Sequence, residues 1–185
     1  DAIRDVVRMQ REVGLQTATD GEFRRASWHM DFIYRLGGIT QSTDRIKVQF
    51  RNADGTIEFS TAALQVNGPV RLRETIFGTD FEFLASVVSD GQVAKLTIPS
   101  PSMVHYRGGR AALDPAVYPD EEPFWADLSA AYAEQISAVA ALGCRYLQLD
   151  DTSLAYLNDP AQRAMLAERG DDAEHQHLRY IRQIN

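Results

Sequence analysis

Tyr146-Leu147-Gln148-Leu149-Asp150-Asp151 is the stretch that decides how this chain reads. A mostly apolar run of strand length ends on two adjacent carboxylates. Upstream, a long helical pattern starts at Asp120, a capping candidate followed by an acid-rich first turn. It continues through Phe124, Leu128, Tyr132, Gln135, Val139 and Leu142. Gly143 then supplies the left-handed residue that ends a helix, while acids at the start suit the positive end of its dipole. Downstream, a loop leads to a last helical pattern over His177-Leu178-Arg179-Tyr180-Ile181-Arg182-Gln183-Ile184-Asn185. The unit is helix, strand, helix, with acids at the strand's carboxyl end.

The same rhythm recurs towards the amino terminus. Ile3, Val6, Val7 and Val13 fall near one helical face and Gly14 marks a stop. Leu15 to Thr19 reads as a short strand running into Asp20-Gly21-Glu22. Asp80 to Ser89 is a compact helical pattern, and Val93-Ala94-Lys95-Leu96-Thr97-Ile98 is a strand halted at Pro99-Ser100-Pro101. There the prolines stiffen a strand-to-loop exit, and Arg107 to Asp114 is a Gly-rich loop. Arg45 to Val66 alternates in strand fashion around Asn52-Ala53-Asp54-Gly55, a hairpin signal, and stands as an excursion from the main architecture.

Alternating helices and strands imply an α/β protein with a parallel sheet. No Gly-x-Gly-x-x-Gly follows a strand, so a dinucleotide-binding open sheet loses its best signature. Acidic residues at two separate strand ends suit a (β/α)8 barrel, which builds its sites there, although open sheets also place ligands at such ends. Three strands and a hairpin cannot close a barrel that takes about 250 residues. The expectation is therefore about the first half of a (β/α)8 TIM barrel over residues 1–185, with a hairpin excursion over 45–66 and the rest outside this chain. A start without Met and an end inside helical patterns fit the same expectation.

Composition narrows the function classes. Of 185 residues, 44% are hydrophobic, 24% charged and 9% aromatic, an ordinary globular balance. A net charge of −7 leaves no basic stripe for a phosphate backbone, so no nucleic-acid partner is expected. No apolar run is long enough to span a bilayer and no signal-peptide stretch opens the chain, so no membrane partner is expected either. A single cysteine, Cys144, excludes an internal disulfide and suits a cytoplasmic location.

Two constellations carry chemistry. Asp150 and Asp151 repel each other at a partly desolvated strand end unless a cation or donors compensate. Neighbours in an extended chain point opposite ways, so one faces the strand-end mouth and the other a loop, with Asp151 also suited to cap the turn at Thr152-Ser153. In Asp20-Gly21-Glu22-Phe23-Arg24-Arg25, an arginine either orders the loop through an ion pair or orients Glu22 towards a substrate ammonium. His29 lies in an aromatic and apolar wall, His105 stands alone, and His175 and His177 project to different helical faces. No His/Cys grouping has zinc spacing, and Cys144 enters a buried strand as a small apolar residue.

Together these stretches resemble the catalytic barrel of cobalamin-independent methionine synthases, and the short bacterial homologues more closely. Asp20-Gly21-Glu22-Phe23-Arg24-Arg25, with Trp28 and Asp31-Phe32, resembles that family's Gly-Glu-x-x-Arg loop. Lys95-Leu96-Thr97-Ile98-Pro99-Ser100-Pro101 resembles the third βα unit, and Tyr118-Pro119-Asp120 with the helix to Gly143 resembles the next. Gln148-Leu149-Asp150-Asp151 resembles Gln-Ile-Asp-Glu-Pro.

The resemblance implies methyl transfer from 5-methyltetrahydrofolate, polyglutamylated, to the thiol of homocysteine, giving methionine. It implies a Zn²⁺ that turns the thiol into a thiolate, held by ligands beyond this chain, so that the 185 residues carry no metal ligand and are inert alone. By motif position Glu22 and Asp150 would grip the substrate ammonium, with Arg25 in support and Asp151 beside them. Asp151-Thr152 stands where the family has Glu-Pro, and the Arg45–Val66 hairpin stands in place of the aromatic-bearing loop that helps hold folate. These departures leave room for alkyl transfer to another thiol, in the manner of coenzyme M transferases or lyases. A non-catalytic half-barrel acting as a binding module is the third reading.

Overall fold

The computed structural model describes residues 2–52, 55–89, 91–106 and 108–185, with side chains described outside 43–62. In chain order the elements are α1 (Ala2–Glu12), β1 (Thr17–Ala18), α2 (Met30–Ile33), β2 (Gly37–Asn52), β3 (Gly55–Arg71), α3 (Gly78–Val87), β4 (Val93–Pro99), α4 (Pro101–Tyr106), α5 (Glu121–Ala141), β5 (Tyr146–Asp150), α6 (Thr152–Leu157), α7 (Pro160–Glu168) and α8 (Gln176–Ile184). Among the described residues, no helix is long and apolar enough to cross a membrane.

β1, β4 and β5 form a parallel sheet in the order β1-β4-β5, and β2 with β3 forms a separate antiparallel pair. The chain is thus α/β with a parallel sheet, as its alternating pattern implies. β1 is only two residues long because a side chain takes over its ladder. The Gln10 amide accepts from the Thr19 N–H at 3.0 Å and donates to the Thr19 carbonyl at 2.9 Å, fixing the backbone where the strand gives way to Asp20.

Register gives the sheet two unlike faces. Lys95 pairs with Tyr146, Thr97 with Gln148 and Pro99 with Asp150, so these polar positions share one side. Leu96 and Ile98, with Leu147 and Leu149, point to the other and join the main core with Phe124, Leu128 and Tyr132 of α5. A smaller cluster of Ile3, Val7, Ala18 and Leu84 packs α1 and α3 on β1.

Two readings are corrected. The hairpin runs from Gly37 to Arg71 rather than 45–66, and it is less of an excursion than its alternation suggests: Ile39, Leu64, Val66 and Val70 at its base belong to the main core. Its strands cross so closely there that a Cβ on Gly38, at φ +83°, would lie 2.3 Å from the Gly68 carbonyl oxygen. The residues Ala53-Asp54, which carry the turn signal, lie outside the described residues, as does Arg107. Second, Pro101 does not continue a stiff exit but opens helix α4, since proline fits the first helical position where its missing N–H costs nothing.

Candidate substrate site

Asp20-Gly21-Glu22 leaves the carboxyl end of β1 in a tight turn: the Asp20 carboxylate accepts from the Glu22 N–H at 2.9 Å. Glu22 itself has φ +56°, the left-handed region that L side chains enter only at a cost of about 1–2 kcal/mol. Strain of this kind persists where surroundings over-determine the conformation, and it clusters at functional sites.

Arg25 is what over-determines it. Its side chain is 4% exposed and pairs with the Glu22 carboxylate at 3.2 Å. It also donates to the Thr97 carbonyl of β4 at 2.8 Å and lies over the Phe77 ring at 4.0 Å. Phe77, at φ +60°, is the other non-glycine residue in the left-handed region among those described. It is held there by Gln135 of α5, whose side chain bonds both the N–H and the carbonyl of Ile76, at 2.9 and 2.8 Å. A buried chain of contacts therefore runs from α5 to the Glu22 carboxylate. The Arg25–Glu22 ion pair expected from this acidic–basic stretch is present and orders the loop.

Asp150 ends β5, and its Oδ1 accepts from the Gln148 amide at 2.6 Å. Its charge reaches Glu22. Burial pushes the Glu22 carboxyl up, Arg25 opposes that, and the negative charges of Asp150 and Asp20 push it further up. The structure thus brings Glu22, Arg25 and Asp150 into one electrostatic neighbourhood across the carboxyl ends of β1, β4 and β5. Burial and the two neighbouring carboxylates together outweigh Arg25 at Glu22, so a further cation beside it would be favoured.

Asp151 faces elsewhere. Its Oδ1 accepts from Ser102 at 2.7 Å and from Ser153, and Ser102 also lies 2.5 Å from Ser100 and 2.8 Å from Ser153. All three serines are fully buried. With the Ser100 N–H on the Asp150 carbonyl at 3.0 Å, this clasp ties the start of α4 to the start of α6 and holds the ends of β4 and β5 together. Asp151 caps its turn through a hydroxyl rather than the backbone, and its described bonds go to the clasp rather than towards Glu22. A place for it beside the substrate, as the resemblance implies, has no contact in its favour.

Sequence reasoning did not assemble a second charged cluster. His105 of α4 is buried, with Nδ1 2.9 Å from the Tyr180 hydroxyl and Nε2 3.5 Å from Glu121 at the start of α5. With Asp171, these residues form a group that could hold a metal ion. It does not suit the thiolate-activating zinc that the resemblance implies. It has no sulfur ligand, and Asp171 is already paired with Arg169 at 2.5 Å. Cys144 is buried and contacts the Tyr146 carbonyl at the opposite end of β5 from Asp150, so it packs as expected. His29 is buried beside Trp28, with ring centroids 4.4 Å apart. His177 lines a cavity of about 760 Å³ with residues of α6, α7 and α8, while His175 pairs with Asp172 in solvent.

Parallel strands that carry carboxylates at their carboxyl ends define an α/β protein with a candidate site at those ends. The comparisons give that class a narrower setting. The chain is 35% identical to a Listeria monocytogenes protein of known structure provisionally described as a vitamin-B12-independent methionine synthase, with a TM-score of 0.66 over 96% of this chain and 49% of that one. A B12-independent methionine synthase from Shewanella sp. W3-18-1, solved with selenomethionine, shares the fold at 22% identity and a TM-score of 0.62, over 95% of this chain and 46% of that one. Two uncharacterized Bacillus subtilis proteins are similar in sequence: YxjH, 36% identical over 93% of this chain, and YxjG, 40% identical over 84%. The chain spans 44% and 39% of their lengths, so less than half of each. No family model matches.

Proposed function

We propose that the chain forms one arc of a (β/α)8 barrel and supplies the amino-group pocket of a homocysteine S-methyltransferase of the cobalamin-independent methionine synthase type. The observation that carries this is the placement of Glu22 and Asp150 at the strand ends, where burial and the charge of Asp150 hold the Glu22 carboxyl up against the pull of Arg25. An ammonium between them would offset their repulsion and, by fixing one end of an amino acid, aim the thiol at the other end. Arg25 acts through Glu22, and Asp151 acts as a clasp on the strand ends rather than as a ligand.

The zinc of such enzymes activates a thiol as thiolate. No sulfur ligand stands at the strand-end face among the described residues, so these residues do not fit that zinc and would share the site with ligands from elsewhere in the protein. The methyl donor assigned on resemblance is 5-methyltetrahydrofolate, and a cytoplasmic setting follows from the same reading. The test is methionine formation by the full-length protein from homocysteine and mono- or polyglutamylated methyltetrahydrofolate with zinc, with coenzyme M as competing acceptor. Turnover of homocysteine supports the proposal. Turnover of the amine-free thiol alone overturns it, because the two carboxylates would then have no ammonium to hold.

A further inference from the structure

The polar face of β4 and β5 carries a cation that neither the ion pairs nor the clasp accounts for. Lys95 of β4 donates from Nζ to Gln148 Oε1 at 3.0 Å, and Gln148 Nε2 donates to Asp150 Oδ1 at 2.6 Å. Register makes this possible: Thr97 pairs with Gln148, so Lys95 is its diagonal neighbour on the same face. The ammonium also lies 5.5 Å from the centroid of the Tyr146 ring, which helps hold it in place.

Donor and acceptor capacities dictate the direction of this relay. An ammonium can only donate and an ionised carboxylate can only accept, whereas a primary amide has one end of each kind. Of the two ways to place the Gln148 amide, only one satisfies both neighbours. Lys95 pins the carbonyl end, which aims the NH₂ end at Asp150. Without Lys95 the amide oxygen loses its donor, and the side chain is free to swing away from the carboxylate. With Lys95 in place, the Gln148 NH₂ is held on Asp150 Oδ1. Among the described residues Oδ2 then receives no side-chain hydrogen bond, leaving it for a ligand.

We infer that Lys95 is a positioning residue for Asp150, acting through the Gln148 amide to hold the carboxylate ready for a substrate ammonium. This rests on the function proposed above and names a residue that sets its specificity for amino-bearing thiols. The experiment measures binding of L-homocysteine and of 4-mercaptobutyrate, which lacks the amino group, to the zinc-loaded full-length protein. Lys95→Met keeps the apolar stem and removes the donor; it is expected to weaken homocysteine binding about tenfold and leave 4-mercaptobutyrate unchanged. Lys95→Arg, still a donor only, is expected to recover most of the loss. Gln148→Met breaks the relay from the other strand and should give the same selective loss if Lys95→Met does not fold. Equal weakening of both thiols by the variants would overturn the relay in favour of a general packing role, and so would a homocysteine preference that the variants leave intact. Equal wild-type affinity for the two thiols would instead overturn the amino-group pocket itself, and with it the role of Lys95.

Discussion

Glu22 and Glu121 are nearly matched in exposure, at 30% and 26% of their side-chain surface, and each stands beside a buried basic residue. Their carboxyls are nevertheless displaced in opposite directions. The imidazole of His105 holds Glu121 below the usual carboxylate range, outweighing burial, with Trp125 and Arg179 in support. Burial holds Glu22 above it, and Asp150 and Asp20 add to what Arg25 cannot cancel. The first cluster is closed, because His105, Trp125 and Arg179 answer the Glu121 carboxylate from within the protein. The second is open: burial and its neighbouring acids outweigh Arg25 at Glu22. Burial and acidity are common to the two clusters; what differs is the direction in which each carboxyl is displaced.

Ligand affinity should report directly on the open cluster. In the full-length protein, Glu22→Gln and Asp150→Asn each remove one charged partner of the proposed ammonium. Each should weaken homocysteine binding about tenfold to a hundredfold, as read by calorimetry. Glu22→Gln should not lower the urea midpoint at neutral pH, because the Glu22 carboxyl is held above the usual range in the fold. A loss of stability matching the loss of affinity would erase the difference between the clusters.

Arg25→Met should give the largest loss of stability. It removes a buried guanidinium that bonds the Thr97 carbonyl and covers Phe77, and it leaves Glu22 strained beside Asp150 with no cation. The expected cost is about 3 kcal/mol, visible as a lower urea midpoint with an unchanged slope. At the closed cluster, His105→Phe keeps the contact with Trp125 but orphans the Tyr180 hydroxyl and uncovers Glu121. About 2 kcal/mol of stability should be lost, with homocysteine affinity unaffected. Weaker homocysteine binding in that variant would mean that the closed cluster belongs to the site after all.

Much of the open cluster was legible in the sequence because its acids stand directly after short strands, where order along the chain and position in space coincide. Glu22, Arg25 and Asp150 are of this kind. The closed cluster was not legible. His105 and Tyr180 lie 75 residues apart, and only the packing of α8 on α4 and α5 joins them. Lys95 was hidden in a similar way, since its tie to Gln148 depends on strand register, which composition does not encode. Asp151 showed the limit of motif position. Alternation along an extended chain correctly implied that it and Asp150 face different ways, but its partners are serines on α4 and α6 that a linear reading took for turn chemistry. Helix α4 was missed for the same reason, because a proline after a strand reads equally as a stiff loop and as a helical first residue.

The smallest effect is also the most direct test of the opposite signs. A carboxyl raised in the folded state binds its proton more readily there than in the unfolded chain. Stability linked to Glu22 is therefore fully present below the unfolded value of 4.5 and is lost as pH rises through the higher folded value. For Glu121, lowered in the fold, the linked stability is present above 4.5 and is lost as pH falls through the lower folded value. Replacing either residue by glutamine removes its titration. At neutral pH Glu22→Gln should then stabilise the protein and Glu121→Gln should destabilise it, each by less than about 1 kcal/mol given their partial exposure. Both differences should shrink as the pH is lowered to about 3, where the wild-type carboxyls approach the neutral state that glutamine mimics. Urea midpoints at the two pH values would show this as two curves converging from opposite sides. Two curves approaching from the same side would mean that Arg25 outweighs burial and the neighbouring acids at Glu22, which would remove the reason for a further cation there.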